Sequence, residues 1–167
     1  MESLSDPEAL RERDDVDVRD RTVDASREEF GRLRDHWTGL DGYVAVGVPN
    51  RDGAVPLMNV GDGWTLPAGP VETGGDYAAA ARRVVENTLG VAPGVERPER
   101  AYHSTFRGDG DRFVAHTVVF RAAPVAGEPV AAEPHTVDEG AVEVDWFEEP
   151  PERIPEGPDE DVRLFLG

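Results

Sequence analysis

The sequence predicts an α+β domain, and three observations carry that prediction. Short apolar runs bounded by Gly, Asp and Pro recur along the chain and read as strands and hairpins. One long helical stretch, 76–89, stands mid-chain among them, with Asp76 placed to cap it and Gly90 to end it in the left-handed conformation. The length of 167 residues is that of one domain with a short extension.

Residues 1–41 read as the extension. Pro7 sits in the first turn of a short helix over 6–13. Residues 16–23 alternate like a strand with one wet face. Ser26 and Glu29 have capping-box spacing, which predicts a helix from Ser26 to about Trp37. Phe30, Leu33 and Trp37 then share one stripe, where a Trp packs as core rather than as a ligand platform.

The main domain spans 42–167. Residues 43–48 are a buried strand, 51–53 a turn, and 54–60 a returning strand. Residues 64–67 form a short strand leading to the segment Leu66-Pro67-Ala68-Gly69-Pro70-Val71-Glu72-Thr73-Gly74-Gly75. After the helix, 100–106 and 112–121 flank Gly108-Asp109-Gly110-Asp111 as a hairpin. A Pro/Ala/Gly-rich connection over 124–134, a strand over 142–147 and a terminal helix over 159–166 complete the chain.

Composition narrows the function. The chain carries 35 acidic against 17 basic residues, a formal charge of −18, and all the basic residues are Arg. Such charge repels itself in dilute buffer, and at molar salt a Debye length of roughly 3 Å screens it. A high-salt cytoplasm is the expected setting. With no Lys/Arg cluster to neutralise phosphates, nucleic-acid binding is not expected, although a few Arg suffice for a small anion. The chain has no Cys, which removes disulfide, thiolate and Cys-zinc chemistry. No apolar run reaches membrane length, and 1–6 lack the apolar core of a leader.

The segment beginning at Gly69 carries the functional signal. It resembles a Nudix box, G-x5-E-x7-R-E-U-x-E-E-x-G-U with U a bulky aliphatic. Gly69, Arg83, Val85, Gly90 and Val91 match, while the four glutamate positions hold Gly75, Val84, Asn87 and Thr88. Trp-x-Leu-Pro before the box, Glu72-x-Gly74 within it and Trp146-Phe147 after a late strand agree with many members. The first 41 residues look like the extension of haloarchaeal Nudix proteins. The resemblance covers 43–166 and implies an α/β/α sandwich with a mixed sheet between helices. It also implies hydrolysis of nucleoside diphosphate derivatives by Mg²⁺ held on helix carboxylates.

The residues at hand do not match that chemistry. Mg²⁺ requires hard oxygen ligands, carboxylates above all. At roughly 100° per residue, positions 77, 80, 84, 87 and 88 share a helix face, and here they are Tyr, Ala, Val, Asn and Thr. Glu86 points away from Val84 and pairs more naturally with Arg83 as a surface couple. The expectation is a protein that binds a nucleotide or related phosphate ligand with little or no Mg-dependent hydrolysis. No cofactor is expected. Ala68, Gly69, Gly74 and Gly75 are the ligand-binding candidates, the last two because backbone N–H groups at a helix start favour an anion, unless Asp76 uses the same donors.

The alternative is an active hydrolase with a relocated Mg²⁺ site. Its ligands would come from Glu72, Glu133, Glu139 and backbone carbonyls near Ala68, with Asn87 a weaker candidate, and Glu72, Glu139 and Arg83 would be the catalytic candidates. Each glutamate also reads as an ordinary carboxylate in an acidic chain. His103, His116 and His135 show no metal-ligand spacing and read as structural or exposed.

Overall fold

The computed structural model describes residues 4, 6–50, 53–59, 63–89, 94–108, 110–124, 136–137, 140–141, 143–151 and 158–166. A 3-10 helix, Pro7–Glu12, precedes β1 (Asp17–Asp24) and α1 (Arg27–Trp37). Then come β2 (Leu40–Gly47), β3 (Val55–Asn59), β4 (Trp64–Thr65), β5 (Ala68–Glu72) and α2 (Tyr77–Leu89). The long hairpin β6 (Val95–Gly108) and β7 (Asp111–Ala122) follows. The short pair β8 (Thr136–Val137) and β9 (Gly140–Ala141) leads to β10 (Glu143–Phe147) and α3 (Pro158–Leu166).

The main sheet has the order β1-β6-β7-β2-β5. β1 runs parallel to β6 and β2 parallel to β7, while β6–β7 and β2–β5 are antiparallel. It is therefore a mixed sheet, and period-two alternation divides its side chains between two cores. Val44, Val46, Val71, Val118 and Phe120 turn to α2 and pack with Tyr77, Ala81, Val84, Val85 and Leu89. Tyr102 and Val119 turn the other way, to Val55, Leu57, Val162 and Leu166, and Ala45 packs against that cluster. Each fully buried Val or Leu contributes about 1.5–3 kcal/mol. Helix α2 thus lies on one face and α3 on the other, the layering the sequence predicts.

Local signals act where expected. Ser26 Oγ accepts from the Glu29 N–H at 3.2 Å and opens α1. Asp76 Oδ1 accepts from the Ala78 N–H at 3.0 Å and opens α2. Helix α1 docks through aromatic rings: Phe30 meets Phe113 with centroids 5.6 Å apart, and Trp37 meets Tyr43 at 5.1 Å. Trp37 is packing, as its stripe predicts. Gly90, expected to end α2, lies outside the described residues.

Two expectations change. The strand after the 51–53 turn does not return along β2. Both edges of β2 are already taken, by β5 and β7, so β3 pairs antiparallel with β10 and β4 in a second, three-stranded sheet. The short strand expected over 64–67 covers only Trp64–Thr65, and the residues Ala68–Glu72 after it form β5 against β2.

The described residues before β2 are woven into this body. β1 is an edge strand of the main sheet, and Leu10 and Val16 are buried in the α2-side core. Leu4 reaches the start of α2, where its N–H donates to Asp76 Oδ1 at 2.8 Å and its carbonyl accepts from the Tyr77 N–H at 2.7 Å.

Candidate functional site

The box positions come first, because β5 and α2 set them. Gly69 and Val71 face α2 and Ala68 faces the opposite side, since strand residues alternate. A β-carbon placed on Gly69 would stand 2.7 Å from Val84 Cγ2. Val84, at a glutamate position, is therefore a core residue, 5% exposed. Thr88 is fully buried, and its Oγ1 has no hydrogen-bond partner. Asn87 is exposed with Arg82, Arg83 and Glu86 on the outer side of α2. It thus parts from Val84 and Thr88, with which helical spacing had grouped it. Glu86 faces away from Val84, as its angle predicts.

Gly75 completes the set in the turn before α2. Its N–H donates to the Glu72 carbonyl at 2.8 Å. The N–H groups of Tyr77 and Ala78 are likewise spent, on Leu4 and Asp76. Gly74 holds the turn at φ +77°, a left-handed value that favours glycine. Glu72 is exposed at the end of β5. Glu133 and Glu139 lie outside the described residues.

These four positions do not fit a hard divalent cation. None offers a carboxylate, two are buried, and the space between Gly69 and α2 is filled by an isopropyl group. Tyr77 closes the start of the helix, its hydroxyl donating to Asp41 Oδ2. Burial, reinforced by Asp41, holds the Tyr77 phenol well above its ordinary range, so it remains a neutral donor.

A hollow of about 190 Å³ lies beside the box, on the face of the sheet away from α2. Tyr43 and Ala45 of β2 and Thr117 of β7 form its floor, Leu66 and Ala68 one wall, and Asp161 of α3 its polar end. Tyr43 is held from behind, its hydroxyl 3.1 Å from His36 Nε2 and its ring edge-on to Trp37. Asp161 Oδ1 accepts from the Tyr102 hydroxyl at 2.7 Å and from Arg100 Nη1 at 3.0 Å. Burial lifts the Asp161 carboxyl above its usual range, with Tyr102 and Arg100 opposing. Burial and Asp161 together push the Tyr102 phenol up to about 12. The guanidinium of Arg21 stands 4.2 Å over the Tyr102 ring. Of the expected ligand residues only Ala68 lines this hollow; Gly69 faces α2.

A larger surface depression, about 610 Å³, lies at the β6–β7 tip. Of the charged groups that line it, Arg107 is paired with Asp24 at 2.9 Å and Asp111 with Arg34. The apolar hollow with a partly buried carboxylate is the better ligand site.

One grouping escaped the sequence reading. His103 and His116, which show no metal-ligand spacing in sequence, face each other across β6 and β7, with Nδ1 atoms 2.8 Å apart. Glu8 of the 3-10 helix brings Oε1 within 3.5 Å of His103 Nδ1. Burial holds the His103 ring below the usual imidazole range, with Glu8 opposing. The signal lay in the predicted turn. Residues 103 and 116 are equidistant from the Gly108–Asp111 pair, so a tight turn there must oppose them. His135 lies outside the described residues.

The comparisons agree with this architecture. The family model described as NUDIX domain matches residues 42–162. Among curated proteins, none matches the chain. Solved structures similar to it include a MutT from a study of the Aliivibrio salmonicida and Vibrio cholerae proteins. That similarity is at 20% identity, covers 75% of this chain and 94% of that one, and has a TM-score of 0.54. A MutT protein from Methanosarcina mazei Go1 is similar at 16% identity, over 74% and 90%, with a TM-score of 0.52. At these identities the likeness is one of fold.

Proposed function

Because the chain belongs to the NUDIX domain family, we propose that it is a member that binds a nucleotide or related phosphate ligand and hydrolyses it little or not at all. The observation that carries this reading is Val84, a box-glutamate position, packed against Gly69 where the family mechanism implies a metal-holding carboxylate. Neutral Asn87 and Thr88 do not replace the missing charge, because a carboxylate's Coulomb attraction is what holds Mg²⁺. Of the extra-box glutamates, Glu72 is an exposed carboxylate at a strand end, and Glu133 and Glu139 lie outside the described residues.

The ligand's ring belongs in the hollow. At about 190 Å³ the hollow is smaller than the roughly 300–1,000 Å³ of sites that enclose a whole drug-sized molecule, so it takes one ring rather than a complete nucleotide. Tyr43, Ala45 and Leu66 provide apolar contact, and Asp161 accepts a hydrogen bond from an amino or hydroxyl group. Arg21, over the ring of Tyr102, whose hydroxyl meets Asp161, is the cation for a phosphate that remains outside. The strongly acidic surface fits a high-salt cytoplasm.

The test is calorimetric titration of nucleoside diphosphates and nucleotide sugars, in high KCl with EDTA. Saturable binding without a divalent ion, weakened by filling the hollow with Ala45→Leu, is the expected result. Binding that requires Mg²⁺, or that is indifferent to Ala45→Leu, contradicts it.

A further inference from the structure

The cluster at Glu8, His103 and His116 takes no part in the box or the hollow, and it has the chemistry of a metal site. We propose that these three side chains bind one divalent transition ion of the zinc class, fastening the N-terminal 3-10 helix to the β6–β7 hairpin.

The donor atoms carry the argument. One ligand atom each of Glu8, His103 and His116 lies within 4.8 Å of the other two, and Nδ1 of His103 is 2.8 Å from Nδ1 of His116 and 3.5 Å from Glu8 Oε1. A tetrahedral ion with bonds of about 2.0–2.2 Å separates its donors by about 3.3–3.5 Å. The Glu8–His103 separation of 3.5 Å already has that value. The His103–His116 separation of 2.8 Å must widen by about half an ångström, which the half-buried His116 ring can provide by turning. Two imidazoles and one carboxylate are the donor set of a borderline ion and not of Mg²⁺ or Ca²⁺, which take oxygen. A fourth position remains for water on the exposed Glu8 side.

The surroundings hold these donors in place. His103 is 3% exposed and fixed on a central strand. Glu8 is oriented by Arg11, whose Nε donates to Oε2 at 2.6 Å, leaving Oε1 to face the histidines. This is how a ligating carboxylate is held from its outer side. Nε2 of His103 is buried without a partner, so Nδ1 is the nitrogen that meets the other donors. That missing outer contact sets the affinity about 10–100-fold below a fully supported site. The site does not rest on the function proposed above, because none of its residues lines the hollow or belongs to the box.

The experiment uses the full chain, stripped with chelator, in high KCl to suppress binding to surface carboxylates. Co²⁺ is titrated and followed by visible absorption, then displaced with Zn²⁺, and melting is recorded with and without Zn²⁺. One equivalent of Co²⁺ with tetrahedral d–d bands, and a melting temperature raised by Zn²⁺, are expected. Glu8→Gln, at an exposed position, should weaken uptake by at least about 10-fold, and His116→Gln should abolish it, both with unchanged near-UV circular dichroism. No saturable uptake by the wild type, or wild-type affinity retained in either variant, overturns the proposal.

Discussion

Gly69 and Val84 meet with no space between them: a β-carbon on the glycine would lie 2.7 Å from Val84 Cγ2. The contact joins β5 to α2 and closes the side of the helix where the family box places a glutamate. Adding a methyl group at residue 69 forces the valine or the strand to move. Gly69→Ala should cost about 1–3 kcal/mol by overpacking. Val84→Ala alone should also cost about 1–2 kcal/mol, as a cavity. Chemical denaturation of the double variant should show a loss smaller than the sum of the two. Additive losses would mean that the two residues do not press on one another.

The Asp161 carboxylate ties the terminal helix to the sheet and shapes the polar end of the hollow. It accepts from Tyr102 and from Arg100, whose side chain is 9% exposed. Asp161→Ala leaves that guanidinium with Asp17, at 3.2 Å, and the Tyr102 hydroxyl, at 3.4 Å. The expected loss is about 2–3 kcal/mol, because a buried guanidinium loses the nearer of its two carboxylate partners. Nucleotide affinity should fall in the same variant, read by calorimetry. Unchanged affinity would remove Asp161 from the ligand site.

How much of this was legible in sequence depends on range. Caps at Ser26 and Asp76 were readable because donor and acceptor are two or three residues apart. The hairpin turn was readable from Gly108 and Gly110. Its consequence, His103 opposite His116, required carrying the register five residues back along each strand. Glu8 joins them from 95 residues away in sequence, and no local pattern announces such a contact. The same holds for Asp161, which reaches the hollow from α3. β3 was read as a strand correctly, but its partner depends on which edges of β2 are free, a property of the whole sheet.

Glu99 gives a pH dependence with a definite sign. Burial pushes its carboxyl up, but Arg121 at 2.7 Å and Arg97 at 2.9 Å outweigh it and hold the group below the ordinary range. A depressed folded-state value means that the unfolded chain binds the proton more readily. The stabilisation is therefore present above the ordinary Glu value of about 4.3 and fades as pH falls below it. Glu99→Gln should be less stable than wild type at neutral pH, and the gap should close in acid. Thermal melts from pH 7 down to about 3 check this; a constant gap would refute it.

The net charge of −18 predicts a salt requirement. The Debye length shrinks from about 10 Å to about 3 Å between 0.1 M and 1 M salt, which damps repulsion among surface carboxylates. Stability should rise over that range by about 2–3 kcal/mol, or about 5–10 °C in melting temperature at this chain length. A flat or falling melting temperature in KCl would show that self-repulsion is not limiting.

Pyrophosphate cleavage, assayed in high KCl with Mg²⁺ or Mn²⁺ against dinucleotides and nucleotide sugars, tests the central claim most directly. Neutral residues at Val84, Asn87 and Thr88, the first and last of them packed in the core, predict release indistinguishable from blank. The triple variant Val84→Glu, Asn87→Glu, Thr88→Glu should gain Mg²⁺ binding that the parent lacks. Rapid turnover by the native chain, unaltered when Val84→Glu is introduced, would contradict the account.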